Sequence, residues 1–309
     1  MSDDARGSDR NVAAVSLAAV GAARAEATLG SVRVGGDAPV VVMGALNVSP
    51  ESFYGGSVHR DRDALVRAGA AMARAGAMIV DVGARSTAPY LETAVDDAEE
   101  ADRLANAVHA LVTKVGVPVS ADTARASAAR AALDAGATIV NDVTALSDEG
   151  VARIVAERGV STILMASPAA GGVLGDTEPV ATVTGILSAA MGRARGAGIA
   201  DANVVLDPGI GFFRDGPVSW DVWDATILAR LDALACLGRP LCVGVSRKSF
   251  LGAITGHADP AARLPASLAA TAIAVLRGAA IVRAHDVAET VDAVRVAERV
   301  TAARSGARG

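Results

Sequence analysis

The chain has 309 residues, 51% of them hydrophobic, and a formal net charge of −5. This length and apolar content are enough for one hydrophobic core of barrel size. A net negative charge without a basic cluster argues against nucleic-acid binding, and the apolar stretch from Val12 to Ala23 is too short to cross a membrane and lacks the basic start of a signal peptide. We therefore expect a cytoplasmic protein that binds small molecules and contacts neither nucleic acid nor membrane.

Residues 1–38 are predicted to form an extension that precedes the main domain. The Ala-rich stretch from Val12 to Leu29 is expected to be a helix that packs on that domain. The sequence Gly-Gly-Asp then separates two Val-rich runs, Val32–Val34 and Val40–Met43, and supplies turn chemistry. These two runs are therefore expected to pair as a hairpin that leads into the first core strand.

From residue 40 onward, apolar segments of strand length alternate with helical patterns eight times. Apolar residues recur at spacings of three and four between these segments, and Trp220 and Trp223 belong to such a pattern, so both are expected to face a core. The alternation predicts a (β/α)₈ barrel, also called a TIM barrel, over residues 39–303, followed by a tail over 304–309; an open doubly wound sheet is the alternative. The predicted strands are Val40–Leu46, Met78–Val82, Val117–Ala121, Thr138–Val140, Val160–Met165, Val204–Leu206, Leu241–Val245 and Ala280–Val282.

Polar side chains stand at the C-terminal end of seven of these eight predicted strands. In a barrel the strand ends meet at one mouth, which is where barrel enzymes carry their active sites. A single Asp or Asn after a strand is often only a helix cap or a turn residue, but the repetition favours a common pocket. The residues are Asn47, Asp81, Asp122, Asn141, Asp142, Asp207, Ser246, Arg247, Lys248, Arg283, His285 and Asp286.

The mixture of groups predicts a ligand with two different ends. Carboxylates and amides in a confined pocket favour a neutral ring with N–H donors and ring nitrogens, such as a pteridine or a purine. Arg283 and His285 follow the last strand, which lies beside the first strand and Asn47 when a barrel closes. An Arg–His pair at that point suits a phosphate or a diphosphate.

Seven sequence blocks resemble the dihydropteroate synthase family. They occur in the family's order and cover the chain from about residue 40 to about residue 300. The resemblance implies the same barrel that the alternation of strands and helices predicts. The blocks are Gly44–Phe53, Asp81–Pro89, Ser120–Thr123, Asn141–Val143, Asp207–Phe212, Gly244–Phe250 and Arg283–Val287.

The resemblance implies a transferase of folate biosynthesis, which joins 6-hydroxymethyl-7,8-dihydropterin diphosphate to an arylamine, 4-aminobenzoate, and releases diphosphate. It also implies Mg²⁺ as cofactor and a homodimer. Asp122, Asp207 and Lys248 resemble the catalytic groups, and the two carboxylates are suited to stabilise positive charge on the pterin methylene carbon. The implied contacts are those of the pterin with Asp122, Asn141, Asp207 and Lys248, of the diphosphate with Asn47, Arg283 and His285, of the metal with Asn47, and of the arylamine with Thr87, Ser246 and Arg247.

The chain departs from the family pattern near the second substrate. After the second strand the family usually reads Gly-Gly-Glu-Ser-Thr-Arg-Pro, whereas this chain has Arg85 in place of the glutamate and Ala88 in place of the arginine. Tyr54 and its neighbours in the first loop differ as well, and Ala166 stands where a histidine is usual. The pterin contacts are retained, so the first substrate is the more strongly predicted one.

These departures leave alternatives open. One is a relative that joins the same pterin to ribofuranosyl-aminobenzene phosphate in tetrahydromethanopterin biosynthesis, with Arg85 as a relocated cation for the phosphate. Another is a pterin-dependent methyltransferase domain, and a third is a barrel that binds pterin without catalysis. Arg283 and His285 argue against the methyltransferase, because methyl transfer has no diphosphate to bind.

Overall fold

The computed structural model describes residues 25–48, 62–85, 95–170 and 178–306. Its strands are β1 (Glu26–Leu29), β2 (Val32–Gly35), β3 (Val41–Asn47), β4 (Ile79–Gly83), β5 (Val119–Asp122), β6 (Ile139–Asp142), β7 (Ser161–Met165), β8 (Val204–Asp207), β9 (Cys242–Val243) and β10 (Ile281–Ala284). Its α-helices are α1 (Arg62–Arg74), α2 (Asp97–Val112), α3 (Ala126–Asp134), α4 (Glu149–Arg158), α5 (Pro179–Gly196), α6 (Trp220–Ala229), α7 (Ser249–Thr255), α8 (Leu264–Leu276) and α9 (Val287–Gly306).

Strands β3 to β10 form one parallel sheet of eight strands in the order β8-β7-β6-β5-β4-β3-β10-β9. A parallel bridge between Leu206 and Leu241 brings the two ends of this sheet together and closes it. The predicted (β/α)₈ barrel is confirmed, and each of the eight predicted strands overlaps a strand of the sheet. A closed sheet excludes the doubly wound alternative.

The strands are buried on both faces, as expected for a parallel sheet covered by helices. The outer face packs on the helices in one large apolar cluster, which includes Trp223, and Trp220 packs against it, as the sequence predicts. The inner face forms a second cluster inside the barrel, with Met43, Ile79 and Ile281 among its members. No helix in the described part of the chain is both long and apolar enough to span a membrane.

The N-terminal hairpin differs from the predicted one. Strand β2 pairs antiparallel with β1, through a turn at Gly30, and not with the Val40–Met43 run. Both edges of β3 are already occupied by β4 and β10, so β3 has no edge for a hairpin partner. Gly30 has a φ of 58°, in the left-handed region that a tight hairpin turn requires. The predicted helix from Val12 to Leu29 is therefore wrong for Glu26–Leu29, and its part before residue 25 lies outside the described residues.

The hairpin covers the N-terminal end of the barrel. Leu29 and Val34 are buried in the same cluster as the inner face of the strands. The Ser161 hydroxyl, at the start of β7, donates to the Thr28 carbonyl over 2.7 Å and accepts from the Gly30 amide over 3.2 Å. With this end closed, the C-terminal ends of the strands form the accessible mouth of the barrel.

Candidate active site

Four polar residues from four strands meet at the mouth. The Arg283 guanidinium donates to Asp81 over 2.6 Å and to Asp122 over 3.0 Å. The Asn141 amide donates to the same Asp81 oxygen over 3.2 Å. Asp81, Asp122 and Asn141 are buried, and one oxygen of each carboxylate has no hydrogen-bond partner among the described residues. A buried oxygen of this kind is an acceptor prepared for a ligand donor.

The ionisable side chains of this cluster shift one another's pKa values. Burial, and then the nearby Asp81 carboxylate, raise the pKa of Asp122 to about 7, against the opposing effect of Arg283. Burial disfavours the charged form of Arg283, but the Asp81 and Asp122 carboxylates outweigh it and raise the pKa of this guanidinium. Arg283 is therefore a permanent cation, whereas Asp122 changes its protonation state near neutral pH.

Asp207 and Lys248 form a second pair on the opposite side of the mouth. Asp207 ends β8, and one of its oxygens accepts a hydrogen bond of 2.7 Å from the Gly209 amide. Burial raises the pKa of Asp207 to about 6, although the Gly209 bond and Lys248 oppose it. Burial lowers the pKa of Lys248 to about 8, while Asp207 and Asp224 act in the other direction. The Lys248 ammonium lies 4.6 Å from the centre of the Phe212 ring, in cation–π contact.

Ser246 and His285 form a third contact, between the ends of β9 and β10. The Ser246 hydroxyl lies 3.0 Å from Nδ1 of His285 and accepts from the His285 backbone amide over 3.3 Å. When the Ser246 hydroxyl donates to Nδ1, the single proton of the neutral ring lies on Nε2. Burial and the cations Arg283, Arg247 and Lys248 lower the pKa of His285 to about 3. His285 thus offers an anion a hydrogen bond from a neutral ring and adds no second positive charge beside Arg283.

Arg247 is committed to the surrounding loops. Its guanidinium forms a two-point ion pair with Asp286, at 2.8 and 2.6 Å, and donates to the carbonyls of Pro260 and Ala261. Its backbone is in the left-handed region, with a φ of 57°. Only 5% of the residue is exposed. This geometry favours a structural role for Arg247, which holds the loop after β9 in place. It does not favour the contact with the arylamine that the resemblance implies.

Asp142 illustrates the ordinary role of a carboxylate after a strand. Its oxygens accept from the Thr144 amide, the Thr144 hydroxyl and the Leu146 amide, each at 2.7 Å. The residues of the turn that it holds, Ala145 and Leu146, have positive φ angles. Asp142 is a turn residue, and the strand-end pattern alone did not distinguish it from Asp122 or Asp207.

Arg85 is held by Glu100, a residue that the motifs did not single out. The Glu100 carboxylate is 1% exposed and lies 3.2 Å from Arg85 and 3.0 Å from Arg125. Its other oxygen accepts from the Thr123 hydroxyl over 2.6 Å, next to Asp122. Glu100 lies in the acidic first turn of α2, where the sequence suggests only a favourable helix terminus. Thr87, the other residue with an implied arylamine contact on this loop, lies outside the described residues.

Asn47 ends β3 next to Gly83 of β4. A Cβ atom on Gly83 would lie 3.5 Å from an Asp122 oxygen and 3.7 Å from the Asn47 amide oxygen, so the glycine keeps the space between these two groups open. The described residues contain no group of three or more His, Cys, Asp or Glu able to hold a metal. Mg²⁺ that is bound largely by water and phosphate needs only one or two protein ligands, so a single amide oxygen fits that mode.

The mouth therefore combines three pairs of the predicted residues: Asp122 with Arg283, Asp207 with Lys248, and Ser246 with His285. Asn141 joins the first pair through Asp81. Such a pocket suits a flat heterocycle with several N–H groups and an anionic substituent. The fold and the site define a barrel enzyme that binds a small nitrogen-rich ring.

Comparison with known proteins identifies the family. The model of the family described as pterin binding enzyme matches residues 43–285. Dihydropteroate synthase of Mycobacterium leprae is 40% identical over 270 residues, which cover 84% of this chain and 93% of that protein. The chain belongs to the dihydropteroate synthase family of transferases.

Solved structures of the family share the fold. Dihydropteroate synthase of Xanthomonas albilineans with 4-aminobenzoic acid has a TM-score of 0.80 and 36% identity, and the match covers 90% of this chain and 99% of that one. The complex of the same enzyme with 7,8-dihydropteroate has a TM-score of 0.74 and 36% identity, covering 86% and 95%. The barrel and most of the chain are thus common to this protein and those enzymes.

Proposed function

We propose that this protein is a dihydropteroate synthase, which joins 6-hydroxymethyl-7,8-dihydropterin diphosphate to 4-aminobenzoate and releases diphosphate. The observation that carries the proposal is the pair of buried carboxylates at the mouth, Asp122 and Asp207, of which the first accepts from Arg283 and the second interacts electrostatically with Lys248. The relatives that share this barrel are named for this reaction, and one was solved with 4-aminobenzoic acid.

The pterin ring is the ligand that the carboxylates and Asn141 are suited to hold. Asp207 and Asp122 accept hydrogen bonds from the N–H groups of the ring, and Asn141 both donates and accepts. Lys248 donates to a ring nitrogen or to the ring carbonyl oxygen. Pterin donors favour the carboxylate forms of Asp122 and Asp207, whose pKa values are raised to about 7 and about 6 by burial in the ligand-free protein.

We assign the diphosphate to the side of the mouth that carries Asn47 and His285. His285 donates from Nε2, and Asn47 supplies an amide oxygen to Mg²⁺, which would neutralise charge on the leaving group when it is bound. Arg283 adds positive potential to this side, but its guanidinium is directed at Asp81 and Asp122. We therefore assign Arg283 to orienting the carboxylates as well as to attracting the diphosphate.

The reaction follows from the separation of charge across the mouth. The bond between the pterin methylene carbon and the diphosphate oxygen breaks, and the electron pair leaves with the diphosphate. The Asp122 and Asp207 carboxylates stabilise the positive charge on the conjugated pterin in a buried site. The amine nitrogen then forms the new bond to the methylene carbon and loses a proton to water. The amine is a weak nucleophile, so its placement beside Ser246 matters more than a base.

The test is product formation with the purified protein. Dihydropteroate should appear, by mass spectrometry, when pterin diphosphate, 4-aminobenzoate and Mg²⁺ are supplied together, and Asp207→Asn should reduce pterin affinity by roughly tenfold or more through loss of a charged acceptor. Addition of EDTA should stop turnover if Mg²⁺ is required. Binding of pterin without any product from either 4-aminobenzoate or its ribosyl phosphate relative would contradict the proposal.

Two further properties belong to the same proposal. The family resemblance supports a homodimer, which light scattering of the purified protein would detect as twice the chain mass. It also supports a cytoplasmic location. A monomer at micromolar concentration would contradict the first of these without affecting the catalytic assignment.

A further inference from the structure

The loop that follows β8 is fastened to helix α6 by three contacts in sequence. The Gly211 amide donates to Asp224 over 2.7 Å. Phe213 stacks on Trp223 with 4.8 Å between ring centres, and the Arg214 guanidinium lies 4.5 Å above the Trp220 ring. One face of α6 therefore supports the chain from residue 211 to residue 214, which continues directly from Asp207.

Asp224 differs from the two tryptophans because it is a carboxylate in an apolar setting. The residue is 0% exposed, and its second oxygen has no hydrogen-bond partner among the described residues. A buried carboxylate that makes one hydrogen bond is costly, so its presence calls for a compensating charge. The sequence motifs give it no role.

Lys248 supplies that charge from across the loop. A Cβ atom on Gly211 would lie 2.9 Å from Cδ and 3.2 Å from Nζ of Lys248, so the lysine side chain rests directly on the glycine. The Lys248 ammonium lies over the ring of the next residue, Phe212. The Gly211–Phe212 segment is thus the support for Lys248 on one side, and Asp224 holds the amide of that segment from the other side.

We infer that Asp224 is a positioning residue for pterin binding: it fixes the Gly211–Phe212 segment beneath Lys248 and places a buried carboxylate on the far side of that segment from the ammonium. The inference rests on the proposed function in that Lys248 is taken as a pterin contact. Asp224 itself touches the loop and not the ligand.

The charges around Lys248 agree with this assignment. Burial lowers the pKa of Lys248 to about 8, Asp207 at the end of β8 and Asp224 on α6 raise it, and Arg283 on β10 and Arg214 on the loop lower it. Burial likewise raises the pKa of Asp224 to about 6, and Lys248 opposes that rise. Without the Asp224 charge, one carboxylate fewer would oppose the effect of the two arginines on Lys248. The pKa of Lys248 would then be lower, and the ammonium would lose its proton at lower pH.

Asp224→Asn is the suitable variant because it is nearly isosteric and keeps an oxygen to accept from Gly211. The chain has only two lysines, Lys114 and Lys248, so a protein labelled with ¹³C-lysine gives one signal from the site and one from the exposed Lys114 as an internal reference. NMR titration without ligand should show the Lys248 pKa lowered by at least about half a unit in the variant. An unchanged Lys248 titration would overturn the inference, whatever reaction the enzyme catalyses.

Ligand binding gives a second measurement. Calorimetry with hydroxymethyl pterin should show that Asp224→Asn weakens binding several-fold at pH 8 and less at pH 6.5, since Lys248 keeps its proton at the lower pH. Asp221→Asn, a carboxylate in the first turn of the same helix, is the matched control and should leave binding unchanged. An equal loss at both pH values would contradict the charge role.

A double variant keeps the test valid if Asp224→Asn alone fails to fold. In a Lys248→Met background, Asp224→Asn should cause no further loss of pterin affinity, because the residue acts through the lysine. Additive losses would overturn the inference. A wild-type protein that binds no pterin would refute the proposed function, but the ligand-free titration of Lys248 would still decide the role of Asp224.

Discussion

The Arg283 side chain donates a hydrogen bond of 2.6 Å to Asp81, a carboxylate with no exposed surface. The two residues are 202 positions apart in sequence and belong to β10 and β4, the strands on either side of β3. The same guanidinium reaches Asp122 on β5. One cation therefore links three strand ends, and it determines where the carboxylates of the proposed pterin site stand.

Replacing Arg283 by Met should destabilise the protein by about 3 to 5 kcal/mol at pH 8, because two buried carboxylates lose their partner. The loss should be smaller at pH 5, where Asp122 is protonated and no longer repels Asp81. Urea unfolding at both pH values measures the difference. The exposed pair Arg295–Asp292 provides the control, since Arg295→Met should change stability by less than about 0.5 kcal/mol. Equal destabilisation at the two pH values would show that packing, and not charge, is what Arg283 provides.

Pterin affinity should rise with pH between about 5 and 8. The pKa values of Asp122 and Asp207 are raised by burial to about 7 and about 6, from an ordinary 3.8. In this window the free protein holds protons that the unfolded chain has lost, so these groups make stability fall as pH rises. The pterin binds the carboxylate forms, so its affinity moves in the opposite direction. Calorimetry in buffers of different ionisation enthalpy should detect proton release on binding at pH 6, and a pH-independent affinity would refute the two assignments.

Much of this architecture was predictable because parallel strands are buried on both faces and leave continuous apolar runs in the sequence. Polar residues after these runs predicted the mouth, and Asp122, Asp207 and Lys248 lie there. Two residues that support the loops of the site were not predictable from the sequence. Glu100 and Asp224 sit on helices, where an acidic residue ordinarily faces water, and only the tertiary structure shows that they are buried against loops of the site. The hairpin partner was missed for another reason, since Val-rich runs do not specify which run they pair with.

Lys248→Met should stabilise the ligand-free protein while it weakens pterin binding. Burial lowers the pKa of Lys248 from 10.5 to about 8, so the folded protein holds fewer protons than the unfolded chain between these values. The ammonium costs stability at pH 7, and that cost disappears as pH rises through this window. Removing the charge should gain about 1 to 3 kcal/mol at pH 7 and little at pH 10.5. Thermal unfolding at the two pH values measures the gain; a variant less stable than wild type at pH 7 would show that the Lys248 contacts outweigh its burial.

The second substrate is the point at which this chain differs most from its family. The family places an arginine where Ala88 stands, and a charge-assisted hydrogen bond from arginine to the carboxylate of 4-aminobenzoate contributes about 1.5 to 3 kcal/mol. Arg85 does not replace it directly, because Glu100 lies 3.2 Å from its Nε atom and offsets its charge. We therefore expect wild-type protein to use 4-aminobenzoate with a high KM and to be weakly inhibited by sulfonamides that imitate it.

Ala88→Arg should lower the KM for 4-aminobenzoate by roughly tenfold, the equivalent of about 1.4 kcal/mol, and should increase sulfonamide inhibition in parallel. Arg85→Met is the companion variant: it should leave the KM for 4-aminobenzoate nearly unchanged, because Glu100 offsets the Arg85 charge. It should raise the KM for ribofuranosyl-aminobenzene phosphate if Arg85 is the cation that contacts this phosphate. The measurement is kcat/KM for both arylamines with the same pterin diphosphate and Mg²⁺. Efficient turnover of 4-aminobenzoate by the wild type, with no gain from Ala88→Arg, would mean that another residue of the mouth already binds the carboxylate and that the missing arginine has no consequence for specificity.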